Sequence, residues 1–228
     1  METLPKLDQR LAVIASLVRD GVRCADIGTD HGYLIAWLAA VGRIRAGYAC
    51  DINKKPLEKA AFTLSAYGVT NTIKLLRCNG LAGLHQGDVD DIVIAGMGGE
   101  LIWSIIDAEE WTRDPQLHFL LQPMTKPERL RRSLYRAGFE ITKEHAVISG
   151  GFPYTVMEVS YTGNQQEIDM LFAYTGKLLH DDSEAAKSYL TKTARLIREK
   201  VEGLKKAADA NNKLEQYCLL LKILEGVA

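Results

Sequence analysis

Apolar positions along this chain follow two periods. Leu7, Leu11, Ile14, Ala15 and Val18 recur at helical spacing within Leu4–Val18, and Gly21 closes that helix. Short apolar runs bounded by turn residues follow at Arg23–Gly28, Arg45–Ile52, Thr72–Cys78, Asp91–Ala95, Leu117–Gln122, Phe139–Val147 and Tyr154–Tyr161, and each reads as a strand. Helical patterns over Leu34–Val41, Lys54–Tyr67, Glu100–Ala108 and Lys126–Ala137 alternate with them. Such alternation over short loops predicts an α/β fold, a parallel sheet with helices on both faces. The last two strand runs have no helix between them. Ser149-Gly150-Gly151-Phe152-Pro153 joins them as a hairpin, so the sheet is expected to end in an antiparallel strand.

The pattern changes after Thr162-Gly163-Asn164. Leu190, Ala194, Ile197, Val201, Leu204 and Ala208 form a heptad seam, Asp209-Ala210-Asn211-Asn212 breaks it, and Leu214, Tyr217, Leu221 and Leu224 resume it. Two such helices joined by a short polar loop predict an antiparallel, coiled-coil-like hairpin. The expected organisation is a domain over residues 1–162 and a helical extension over residues 163–228. That extension either packs on the core or dimerises, or it holds a substrate.

With 228 residues, 47% of them apolar, the chain can bury a full core. A net charge of -1 excludes a wholesale basic protein, so any nucleic-acid contact must come from local clustering. Met1–Leu11 is charged and mixed, unlike a signal peptide, and no apolar run approaches the roughly 20 residues that span a bilayer. A cytoplasmic protein away from membranes is expected, with a monomer favoured. Cys24, Cys50, Cys78 and Cys218 show no CxxC pair and no metal spacing, so they read as reduced thiols, and no metal is expected.

The candidate chemistry begins at Asp26-Ile27-Gly28-Thr29-Asp30-His31-Gly32-Tyr33, between a strand and a helix. A dinucleotide fingerprint would read G-x-G-x-x-G. This turn instead carries Asp26 at the strand end and Asp30 inside the loop. Two acids repel a pyrophosphate but suit a ligand with an ammonium and a sulfonium, as in S-adenosylmethionine. Asp30 is also placed to cap the next helix. Asp51, followed by Ile52, ends the second strand, where nucleotide-binding α/β folds hold the ribose hydroxyls. Asn79-Gly80 closes the third strand with an acceptor for an adenine amino group. Ala95-Gly96-Met97-Gly98-Gly99 follows the fourth strand and offers bare backbone to a planar substrate. The Asn/Asp-Pro-Pro-Tyr/Phe motif of exocyclic-amine methylation is absent, as is the Pro-Cys loop of pyrimidine-carbon methylation. A ring nitrogen such as adenine N1 already has a lone pair, and needs orientation and an electrostatic partner more than a covalent catalyst.

On the Ala25–Leu34 segment, Asp51 with Pro56-Leu57, Ala95–Gly99, Leu121-Gln122-Pro123 and the terminal helical hairpin, the chain resembles the class I S-adenosylmethionine-dependent methyltransferases. More narrowly it resembles the TrmK-type tRNA (adenine(22)-N(1))-methyltransferases of bacteria. Asn79 stands where many class I enzymes carry Asp. The resemblance implies a Rossmann-like domain and a tRNA substrate. The cofactor is expected against Asp26, Gly28, Thr29, Gly32, Tyr33, Asp51, Ile52, Asn79, Gly80, Gly96 and Met97. Gly98 and Gly99 are expected to shape the adenine pocket, with Asp30 and His31 as the catalytic candidates.

Lys126, Arg129, Arg131, Arg132, Arg136 and Lys143 outnumber the acids between Met124 and Ile148, so a phosphate-contacting face is expected there, led by Arg129, Arg132 and Arg136. Lys6, Arg10 and Arg19 add to it. Tyr33 or Phe152 is the expected stacking partner of an unstacked base. A small-molecule methyltransferase and a non-catalytic tRNA-binding protein are the alternatives.

Overall fold

The computed structural model describes residues 4–206 and 211–227. The expected strands are present as β1 (Val22–Ile27), β2 (Ile44–Asp51), β3 (Ile73–Arg77), β4 (Asp91–Gly98), β5 (His118–Thr125), β6 (Phe139–Ser149) and β7 (Phe152–Tyr161). The helices between them are α2 (Tyr33–Ala40), α3 (Lys54–Ala66), α4 (Gly99–Asp107) and α5 (Pro127–Arg136). Ahead of them, α1 (Gln9–Leu17) starts later than Leu4 because the Asp8 carboxylate accepts from the Leu11 N–H at 3.0 Å and caps it.

The strands form one seven-stranded sheet in the order β3-β2-β1-β4-β5-β7-β6. Chain order reverses between β1 and β4, so the crevice above the carboxyl ends of these two strands is the natural ligand site. One expectation is corrected here. The antiparallel strand is last in the chain but not at the sheet's end, because β7 lies between β5 and β6 and pairs antiparallel with both. Helix α5 carries the chain one position too far out, and the hairpin through Gly150-Gly151 fills the gap.

Parallel strands covered on both faces read as unbroken apolar runs, and Ile92-Val93-Ile94 and Phe119-Leu120-Leu121 are buried throughout. Ile92, Ile94, Phe119 and Leu121 pack with Ile102 and Ile106 of α4 and Leu130 and Leu134 of α5. Val93 and Leu120 face the other way, toward Ile14 and Val18 near α1 and Ile35 and Leu38 of α2.

Beyond β7 lie α6 (Met170–Thr175), α7 (Glu184–Lys205) and α8 (Asn211–Val227). Helix α8 folds back along α7, with Arg198 and Glu225 paired at 2.6 Å. Leu190, Ala194, Ile197 and Val201 of the seam are buried, and Leu220 joins Leu224 on the facing helix. Ala208 and the start of the expected break, Asp209-Ala210, lie outside the described residues. Helix α6 is too short to carry a period and was not expected. It is held by Arg131, whose Nη1 donates to the carbonyls of Ala173 and Tyr174 at 2.8 and 3.3 Å.

Candidate active site

The turn after β1 is built around Gly28 and Gly32, at φ 78° and 67°, a region that costs a side chain dearly. The N–H groups of Gly28 and Thr29 both donate to the Cys50 carbonyl, at 2.8 and 3.0 Å, which ties the turn to the end of β2. A Cβ at Gly32 would lie 2.9 Å from that of Ala60, so this glycine sets the approach of α2 to α3. Above the turn is a cavity of about 320 Å3, lined by Asp26, Gly28, Thr29, His31, Tyr33 and Gly96 among others.

Asp26 is 8% exposed, and burial pushes its carboxyl up to about 6; a hydrogen bond from Thr29 opposes this and the charge of Asp51 adds to it. A buried carboxylate facing a cavity is a fitting partner for an ammonium group. An ammonium favours the ionised form, so binding below that pKa must release a proton. S-adenosylhomocysteine affinity is therefore expected to rise up to about tenfold per pH unit until about pH 6 and then level off. Asp26→Asn is expected to abolish that dependence. Calorimetric titrations giving a flat wild-type profile would remove Asp26 from the ammonium site.

Asp30 does not cap α2, whose N-cap is Gly32 with no side-chain hydrogen bond. It reaches the rim of the cavity instead. There it meets Lys59 of α3, whose Nζ lies 3.3 Å from Asp30 Oδ1 and 3.3 Å from His31 Nε2. His31 stacks on Tyr33 with ring centroids 5.1 Å apart. Sequence reasoning missed Lys59, because on its own helix it is one exposed lysine among several.

Asp51 is half-buried at the end of β2, and its Oδ1 accepts from the Asn53 N–H at 2.6 Å. That contact orients the carboxylate and leaves acceptor capacity for a ribose diol. Ile52 is 55% exposed beside it, an apolar surface for a purine ring. Asn79 is exposed in the turn after β3, and Gly80 packs on Ile105, so the pair supplies an open acceptor on a fixed turn.

The Gly96–Gly99 segment is not a loop. Strand β4 runs through Gly98 with an irregular register against β5, and α4 begins at Gly99. Gly96 has nothing within 4 Å of where a Cβ would be, and Met97 covers Gly28. Gly99 is corrected as a substrate residue. It is buried, and a Cβ there would lie 2.5 Å from the Lys126 carbonyl, so it serves the packing of α4 on the β5–α5 turn. The sequence reading gave Gln122 only as part of a motif and Arg10 only as a phosphate contact. The buried Gln122 accepts through Oε1 from the Gly96 N–H at 3.2 Å and from Arg10 Nη1 at 2.7 Å. Arg10 therefore points into the site and not out to phosphates.

The basic face of α5 is also smaller than expected. Arg131 is fully buried against Glu144 at 2.8 Å. Arg129 pairs with Glu100, as does Lys126. Arg136 pairs with Glu167 at 2.8 Å, and Arg132 donates to the Ile168 carbonyl at 3.2 Å. Arg19 is taken by the buried Asp91 at 2.6 Å. Cys24 and Cys50 are buried and burial pushes both thiols up, which disfavours them as nucleophiles.

The sheet order and the glycine turn after β1 are the features of a class I methyltransferase domain. The profile of the methyltransferase domain family matches residues 7–157, and the chain belongs to that family. It is 30% identical over 152 residues to the tRNA (adenine(22)-N(1))-methyltransferase of Bacillus subtilis (strain 168), a match covering 67% of this chain and 64% of that relative. The aligned part is thus under two thirds of the relative's length. The crystal structure of the B. subtilis M1A22 tRNA methyltransferase TrmK superposes with a TM-score of 0.86 at 24% identity, covering 98% of this chain and 99% of that one. Streptococcus pneumoniae Sp1610 in complex with S-adenosyl-L-methionine superposes with a TM-score of 0.81 at 26% identity, covering 96% and 97%. The resemblance read from the sequence motifs is borne out.

Proposed function

We propose that this protein methylates N1 of an adenine in tRNA, the base at position 22, in the cytoplasm. The observation that carries the reading is the bare end of β4. Gly96 leaves open backbone beside the cofactor cavity, with the Gln122 side chain fixed behind it by the Gly96 N–H and Arg10. S-adenosylmethionine, when bound, supplies an electrophilic methyl group. The protein's part is to hold the base so that the N1 lone pair lies in line. Because N1 is on the Watson–Crick edge, the adenine must first leave its stack, at a cost of about a few kcal/mol. Methylation leaves a cationic ring whose charge spreads to the amino group, and Asp30 at the rim is placed to offset it, with Lys59 and His31 setting its orientation. The B. subtilis relative is named for this reaction.

Incubation of unmodified tRNA with the protein and methyl-labelled cofactor, followed by mass spectrometry of the nucleosides, tests the reading. The expected product is 1-methyladenosine, mapping to position 22. Label in N6-methyladenosine would overturn the N1 assignment. A tRNA without label would favour a small-molecule substrate.

A further inference from the structure

A second cavity, of about 580 Å3, lies between the β5–α5 turn, the start of β7 and one face of α7. Its apolar surface includes Met124, 38% exposed, and Leu196, 43% exposed. Tyrosine rings and ammonium groups alternate around it. Lys192 Nζ lies 5.0 Å from the centre of the Tyr154 ring, and Lys200 Nζ lies 4.9 Å from that of Tyr174. Lys192, Leu196 and Lys200 are spaced i, i+4, i+8 and so share one face of α7.

The charges are not equivalent. Lys200 has Glu128 at 4.0 Å, and Lys126 at the mouth is paired with Glu100. Lys192 has no carboxylate partner among the described residues; it lines the cleft and donates to the Pro153 carbonyl at 3.1 Å. Burial and the nearby Arg195 both lower its pKa, as expected of a cation short of counter-charge. The cleft adjoins the methyl-transfer site through one wall. Arg10 donates to Gln122 and also lies 5.4 Å from the Tyr154 ring centre, so Tyr154 stands between a cation of the active site and a cation of the cleft.

A stacking surface with a desolvated cation at its edge is the chemistry that seats one nucleotide, the base on the aromatic and apolar wall and the phosphate on the ammonium. We infer that this cleft holds a nucleotide flanking the target adenosine, with its base against the exposed apolar wall of Met124 and Leu196 and its phosphate at Lys192, which the Tyr154 ring backs. The inference rests on the tRNA reading above. It gives α7 a direct part in substrate binding: the helix would grip the RNA beside the unstacked base, and the occupied cleft would help keep that base out of its stack.

The test uses the full-length protein and an unmodified tRNA transcript. Leu196→Glu puts a carboxylate and extra bulk into the cleft from an exposed position, and Lys192→Ala removes the cation; Lys187→Ala, on the same helix outside the cleft, is the control. Both cleft variants are expected to raise the KM for tRNA about tenfold, the loss of roughly one base stack or phosphate contact. Lys192→Ala is further expected to reduce the slope of log affinity against log salt by about one. S-adenosylhomocysteine affinity and melting temperature stay as in wild type. Wild-type tRNA affinity and salt slope in both variants, with 1-methyladenosine still formed by the parent enzyme, overturn the cleft alone. Failure of the parent to bind or methylate the tRNA overturns the substrate reading, and the cleft with it.

Discussion

Asp51→Ala is expected to weaken S-adenosylhomocysteine binding by about 2–4 kcal/mol while leaving the fold intact. The figure follows from two charge-assisted hydrogen bonds from a ribose diol to one carboxylate, each worth more than a neutral bond. The geometry supports a preoriented acceptor. Asp51 follows Cys50, whose carbonyl holds the Gly28–Thr29 turn, and its own Oδ1 is fixed by the Asn53 N–H at 2.6 Å. Loss of that local contact costs the folded state little, because Asp51 is only half-buried at a strand end. The variant also removes a negative charge that helps raise the Asp26 pKa, so the pH profile of residual binding should shift to lower pH. Calorimetric affinity within about twofold of wild type, at an unchanged melting temperature, would place the ribose elsewhere.

The second large effect concerns the joint between the sheet and the C-terminal helices. Glu144→Ala is expected to destabilise the protein by about 3–5 kcal/mol, because it leaves the Arg131 guanidinium buried without a counter-charge. Both side chains are fully buried. Arg131 also donates to Tyr189 Oη at 3.2 Å, and Glu144 Oε2 accepts from the Lys177 N–H at 2.6 Å, so one ion pair links α5 and β6 to α6, α7 and the turn between them. Replacing both members, with Arg131→Met and Glu144→Leu, should recover much of the loss, since apolar groups of similar volume can substitute for a buried pair. Urea unfolding reads both results. A loss under about 1 kcal/mol in the single variant would mean that water reaches the guanidinium. The same joint means that the helices cannot be removed cleanly, because truncation near Gly163 would strip Arg131 of Ala173, Tyr174 and Tyr189.

The sequence by itself determined the strands and the helices between them, the methyltransferase-type turn at Asp26–Tyr33, the acid at Asp51 and the seam of α7, but not the short α6. These depend on local rules: apolar period reports which face is buried, and glycine and acid placement report a turn that needs positive φ and a charged neighbour. Tertiary structure alone decided who meets whom. It put β7 inside the sheet, turned Arg131 from a phosphate contact into a buried ion pair, and made Gly99 a packing residue. It also brought Arg10 to Gln122 across 112 positions and Lys59 to Asp30 across 29. Periodicity records that a side chain is buried or exposed but not its partner, and a charged residue on a helix looks the same whether it faces solvent or a carboxylate. The cleft beside Tyr154 belongs to this second kind of information. Its walls come from β5, β7 and α7, and no segment of the chain carries it alone.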